Sequence, residues 1–127
     1  MTKTSKQQLG QKGEDLAADY LQKRGHKIVT RNYRHGKGEL DIVSINNDVL
    51  VVSEVKSFYT PPLGAAEFRV NKAKQQQIIQ TTYAFLAGHP DYGSGGVRFD
   101  VIVVDFSAWP ARITHHQAAF WDERGWD

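Results

Sequence analysis

Three residues stand out for the chemistry they could do: Asp41 between Leu40 and Ile42, Glu54 after the run Val49-Leu50-Val51-Val52-Ser53, and Lys56 two positions later. Strands that are half-buried keep their acids on the wet edge, so an acid inside each of two adjacent apolar runs needs a reason. Between the runs, Asn46-Asn47-Asp48 reads as a hairpin turn. If Asn47-Asp48 is a two-residue turn, Asn46 pairs with Val49 and, counting outwards, Asp41 stands opposite Glu54. Facing residues have Cβ atoms about 5 Å apart, and two carboxylates there repel by roughly 3 kcal/mol at an effective dielectric near 20. A positive charge belongs between them. Lys56, on the same strand face as Glu54, offsets part of the repulsion. Two converging carboxylates with backbone carbonyls are also the hard-oxygen surroundings that suit Mg²⁺ or Mn²⁺. A three-residue turn would instead set Asp41 against Ser53 and turn it to the other face. The competing reading of the same residues is a partly buried ion network.

The elements that must position these groups can be read around them. Leu9, Gly13, Leu16, Ala17, Tyr20 and Leu21 recur at helical steps, predicting an amphipathic helix from about Lys6 to Arg24 that Gly25 stops. Glu14 lies on the border of its apolar stripe, whereas Asp15 and Asp19 face away. Strands are predicted over residues 26–32, 39–45 and 49–56, followed by a loop over 57–64 containing Pro61-Pro62. Asn71 can cap a second helix running to about Ala87, and Tyr92-Gly93-Ser94-Gly95-Gly96 reads as the most flexible connection. The run from Val97 to Phe106 is the most continuous in apolar residues, as expected of a strand covered on both faces, and Ile113 to Phe120 adds an edge strand. Helix, three strands, helix, strand is the order of a mixed sheet flanked by helices.

A chain of 127 residues is one domain's length, enough to bury roughly two-thirds of its unfolded surface. With no cysteine, disulfides and thiolate metal sites are excluded and a cytoplasmic location is expected. No apolar stretch reaches the roughly 20 residues of a membrane span, and the start has no signal-like apolar segment, so no membrane partner is expected. The net charge of +2 is unevenly spread: residues 1–37 hold nine Lys/Arg against three Asp/Glu, and residues 38–127 hold seven against eleven. A basic flank beside an acidic cluster suits a polyanion whose chemistry needs a cation, although a solvated lysine-rich face has the same composition. His115-His116 looks like a metal pair, but neighbours on a strand point to opposite faces and do not share an ion.

Gly13-Glu14-x-x-Ala17, Tyr20-Leu21, Gly25, Arg31-Asn32-Tyr33-Arg34, Gly38-Glu39-Leu40-Asp41, Glu54-Val55-Lys56, Lys74 and Arg98-Phe99-Asp100-Val101 together resemble the YraN-like family of small bacterial proteins. That family is similar to the PD-(D/E)XK nucleases and, among them, to archaeal Holliday-junction resolvases. The resemblance implies a single α/β domain over residues 1–127, a restriction-endonuclease-like mixed β-sheet flanked by α-helices, with residues 1–5 and 121–127 as flexible ends. It implies a catalytic set of Glu14, Asp41, Glu54 and Lys56, with Mg²⁺ or Mn²⁺ held by Asp41, Glu54 and the Val55 carbonyl. Arg31, Arg34, Lys37 and Lys74 would grip a nucleic-acid backbone, DNA by analogy, with branched or junction DNA as one substrate class and a homodimer left open. Phe58 stands where the family has a basic residue, and no proline precedes Asp41. A non-catalytic nucleic-acid-binding or partner-binding module with the same fold is the alternative, since function belongs to the site and not to the fold.

Overall fold

Thr4 closes a capping box with Gln7: its hydroxyl accepts from the Gln7 amide and its own amide donates to Gln7 Oε1. Helix α1 (Ser5–Lys23) begins there and ends before Gly25, whose φ of 90° turns the chain into the sheet. The computed structural model describes residues 4–60 and 69–125. Pro61-Pro62 and the outermost terminal residues, named above as loop and flexible ends, lie outside the described residues.

Strands β1 (Lys27–His35), β2 (Gly38–Asn46), β3 (Val49–Phe58), β4 (Val97–Asp105) and β5 (Arg112–Phe120) form one sheet in the order β1-β2-β3-β4-β5, with helix α2 (Lys72–Gly88) between β3 and β4. All pairs are antiparallel except β3 with β4, which the crossover through α2 makes parallel. This is the expected mixed α/β sheet, compatible with a restriction-endonuclease-like fold.

Alternation along β4 shows how the layers are built. Val101 and Val103 pack with Ile78, Ile79 and Phe85 of α2, while Ile102 and Val104 pack with Ala17, Ala18 and Leu21 of α1. The helices therefore cover opposite faces, which is why the β4 run is apolar without a break. As expected, β5 is an edge strand and Asn71 caps α2, accepting from Lys74 N.

Two strands outrun their hydrophobic pattern. Tyr33, Arg34 and His35 extend β1 because they pair with Leu40, Glu39 and Gly38 around a tight turn in which Gly36 takes φ 58°. Ser57 and Phe58, expected in a loop, extend β3 because they pair with Val104 and Asp105 of β4. The Tyr92–Gly96 connection is docked on the β2–β3 turn: Gly96 O accepts from Leu50 N, and a Cβ at Gly95 would collide with the Asp48 backbone.

Candidate functional site

The turn between β2 and β3 is the two-residue one, with Asn47 at φ 50° and Asp48 at φ 66°, the left-handed pair that Asn and Asp tolerate. The ladder runs from Asn46↔Val49 to Ile42↔Ser53 and stops, although both strands continue. The next pair outward is Asp41 with Glu54. There the Asp41 side chain takes over from a strand carbonyl, its Oδ2 accepting from Val55 N at 2.8 Å. The strands thus fork at the two acids.

Burial and mutual repulsion govern both carboxyls. Burial, and then the negative charge of Asp41, push Glu54 up to about 8, against the pull of Lys74 and Lys56. Burial also raises Asp41, opposed by the Val55 amide and helped by the charge of Glu39. A proton shared between the acids suits this state, with Glu54 donating to Asp41. Lys74, in the first turn of α2, brings its Nζ to 3.9 Å from Glu54 Oε1.

Glu14 reaches the sheet because α1 comes down unusually close to β3. A Cβ on Gly13 would collide with Ser57 Oγ and sit 2.9 Å from Ser57 Cβ, so the glycine beside Glu14 is required by contact. Glu14 is 9% exposed, and its Oε1 accepts from Arg31 Nε and Asn32 Nδ2, both at 2.9 Å. Asn32 manages this from φ 55°, a left-handed step that turns its side chain to the side of Arg31. Burial raises the Glu14 pKa, Arg31 opposes, and the charge of Asp41 adds to the rise, so Glu14 is coupled electrically to the fork. A cleft of about 570 Å³ beside it is lined in part by Glu14, Arg31, Asn32, Arg34 and Glu39.

The fold therefore gathers Asp41, Glu54, Val55, Lys56 and Lys74, and keeps Glu14 on the α1 side in its own hydrogen bonds. Of the other basic residues, Arg31 pairs with Glu14 and Asp15, and Arg34 pairs with Glu39 at 3.1 Å. Lys37 stands in the β1–β2 turn, its carbonyl accepting from Gln77 Nε2 at 2.9 Å. Sequence reasoning did not place Lys74 beside Glu54, since only the crossover through α2 brings them together. It also passed over Asn32, whose type, set between Arg31 and Tyr33, was the one available signal of a left-handed step.

The histidines do face opposite ways. His115 Nε2 lies 2.7 Å from Asp100 Oδ2 and its Nδ1 3.3 Å from the Tyr20 hydroxyl, on the α1 side. His116 pairs with Val101 and lines a cavity on the α2 side. Asp100 is fully buried, and against the opposing effect of burial His115, Nε and Nη2 of Arg98 and Ala118 N hold it ionised, with its pKa lowered to about 2.

Among the described residues, no three His, Cys, Asp or Glu side chains converge as a ready-made metal cage. Asp41 and Glu54 supply two carboxylates, the number Mg²⁺ commonly takes from a protein while water and phosphate oxygens complete its shell. Two half-buried acids that repel each other, with only hard oxygen donors, fit Mg²⁺ or Mn²⁺ and no soft metal.

Residues 13–104 match the family described as "Uncharacterised protein family UPF0102". The chain belongs to that family. UPF0102 proteins similar to it include one from Granulibacter bethesdensis, 39% identical over 117 residues, spanning 92% of this chain and 72% of the relative. Another, from Treponema denticola, is 36% identical over 124 residues, spanning 90% and 95%. A third, from Geobacter metallireducens, is 38% identical over 112 residues, spanning 88% and 91%. This agrees with the YraN-like resemblance, and the UPF0102 match opens at Gly13 and closes at Val104, taking in the fork, Glu14 and Asp100.

Proposed function

We propose that this chain is a metal-dependent nuclease that hydrolyses phosphodiester bonds in DNA, branched or junction DNA included, and that it works in the cytoplasm. The observation that carries the reading is the fork: the ladder stops where Asp41 and Glu54 meet, and burial there leaves an acid pair in need of a cation. Asp41 and Glu54, with the Val55 carbonyl, would hold Mg²⁺ or Mn²⁺, which when bound polarises a phosphate and lowers the pKa of water.

The chain's own groups do the rest. Glu54 would hold the cation as a carboxylate, its proton having passed to solvent. Lys56 faces the same side as Glu54 and orients the attacking water or balances charge on the phosphate. Lys74 holds a phosphate oxygen from the α2 side, and Glu14 tunes the field at Asp41 from the α1 side. Because Arg31 and Arg34 are already hydrogen-bonded to acids, whereas Lys74 meets Glu54 only at 3.9 Å, Lys37 and Lys74 are the better candidates for gripping the backbone. No helix among the described residues is long and apolar enough to cross a membrane.

Fluorescent linear, flapped and four-way DNA incubated with Mg²⁺, Mn²⁺ or EDTA tests the reading. Metal-dependent cleavage that Glu54→Ala abolishes supports it. Cleavage that is unchanged in that variant, or absent on every substrate, removes it; DNA binding without cleavage would establish the binding-module alternative.

A further inference from the structure

Across the α2 face of the sheet, Glu54 pairs with Val101 and Val101 pairs with His116, so the three side chains lie in one row. At a strand spacing of about 4.8 Å, His116 stands roughly 10 Å from Glu54. The row leads directly from the fork into the cavity that His116 lines, about 550 Å³ in volume. Its floor is apolar, with Val70, Val101 and Phe120; its polar groups are Arg69, Gln75, His116 and Gln117. Gln75 is fixed by donating to Val70 O at 2.8 Å, and the side chains of His116 and Gln117 form no hydrogen bond among the described residues.

Beyond Phe120 the cavity continues into a shallower recess of about 160 Å³ that shares Gln75 and Phe120 and ends at Trp121, which is 67% exposed. The charge along this path is positive at one end. Arg69 lines the cavity, and the first turn of α2 carries Lys72 and Lys74 and no acid, although a helix N-terminus favours anions over cations. Lys72 is offset by Glu123; Arg69 forms no ion pair among the described residues.

We infer that this groove takes an unpaired nucleotide of the substrate strand beside the phosphate bound at the fork. A flat base with an apolar face and a hydrogen-bonding edge suits an apolar floor rimmed by two amides and an imidazole, and the exposed Trp121 offers the next base a stacking surface. A base inside an intact duplex has neither its face nor its pairing edge free. The substrates are therefore strands with single-stranded character, such as flaps, gaps and branch points, rather than continuous duplex. The inference rests on the nuclease reading for the position of the scissile phosphate.

The test separates the two. Anisotropy of fluorescein-labelled hexathymidylate and of a continuous 20-base-pair duplex is measured in EDTA, for the parent chain and for Gln117→Ala/Trp121→Ala, both exposed positions. The double variant should weaken hexamer binding about tenfold or more while changing duplex binding and Mn²⁺ titration less than twofold. In Mg²⁺ the parent chain should cut flapped DNA faster than continuous duplex, and the variant should lose that preference. Loss of hexamer binding in the variant without cleavage of any substrate would uphold the groove and sink the nuclease. Cleavage with equal hexamer binding by both chains, or with no hexamer binding at all, would overturn the groove and leave the nuclease standing.

Discussion

Lys74 Nζ stands 3.9 Å from Glu54 Oε1, and among the described residues it is the only cation within ion-pair distance of that carboxylate. The ammonium group of α2 would thus compete for Glu54 with the proposed metal ion. Lys56, on the same strand as Glu54, exerts the weaker pull.

Lys74→Met should tighten Mn²⁺ binding several-fold above pH 8 by removing a competing charge, while lowering cleavage. Lys56→Met should leave Mn²⁺ affinity within about twofold and lower the rate by roughly 10²-fold, the scale of a lost acid–base or charge-stabilising group. Isothermal titration with Mn²⁺ and single-turnover cleavage give both numbers. A Lys56 variant that loses the metal would make that lysine part of a structural ion pair.

Glu54 also sets a pH signature. Its folded pKa, about 8, is above the ordinary 4.5, so the folded chain binds this proton more tightly than the unfolded chain does. The stability associated with it is greatest below the unfolded value and is lost as pH rises from about 4.5 towards 8. Thermal melts in EDTA should decline over that window. Mg²⁺ should raise the melting temperature more at pH 8 than at pH 6, and Glu54→Gln should flatten the decline and abolish the Mg²⁺ effect.

Asp100 acts in the opposite direction. Held at about 2 by His115, Arg98 and Ala118 N, it stabilises the fold above its ordinary 3.8, and that stability is lost as pH falls towards 2. Asp100→Asn leaves Arg98 without its buried partner and should cost about 3–5 kcal/mol in urea unfolding at neutral pH. The variant should also lose the steepest part of the acid-side decline.

Gly13→Ala should destabilise by about 1–3 kcal/mol, because the new methyl group overlaps Ser57 where α1 meets β3. Ser57→Gly in the same chain should recover much of the loss. Urea unfolding of the single and double variants measures that coupling; additive effects would mean that the helix shifts as a body and does not collide locally.

Much of this was legible in the sequence because period-two alternation and the length of one turn together fix a hairpin. Asn47-Asp48 was one of two turns the sequence allowed; once the structure takes it, the turn sets the register, and the register sets Asp41 against Glu54. The helix starts and stops were equally local, as Asn71 and Gly25 show. What was not legible depends on contacts distant along the chain. The extension of β1 rests on pairing with β2, since Tyr33-Arg34-His35 has no apolar alternation of its own. Arg31 and Arg34 read as free cations until the fold set Glu14, Asp15 and Glu39 beside them. His116 was correctly separated from His115, but its row with Glu54 needed both neighbouring registers of β4.

The bond from Val55 N to Asp41 Oδ2 makes one main-chain amide an internal gauge of the site. Whatever draws electron density from that carboxylate, a proton or an ion, must alter the nuclear shielding and the solvent exchange of the Val55 hydrogen. The neighbouring amide pairs of the closed ladder, such as Ser44 with Val51, provide a reference that should stay still. A nitrogen-15 spectrum of the unmodified chain would thus read occupancy at the fork directly, with no substrate present and no turnover required.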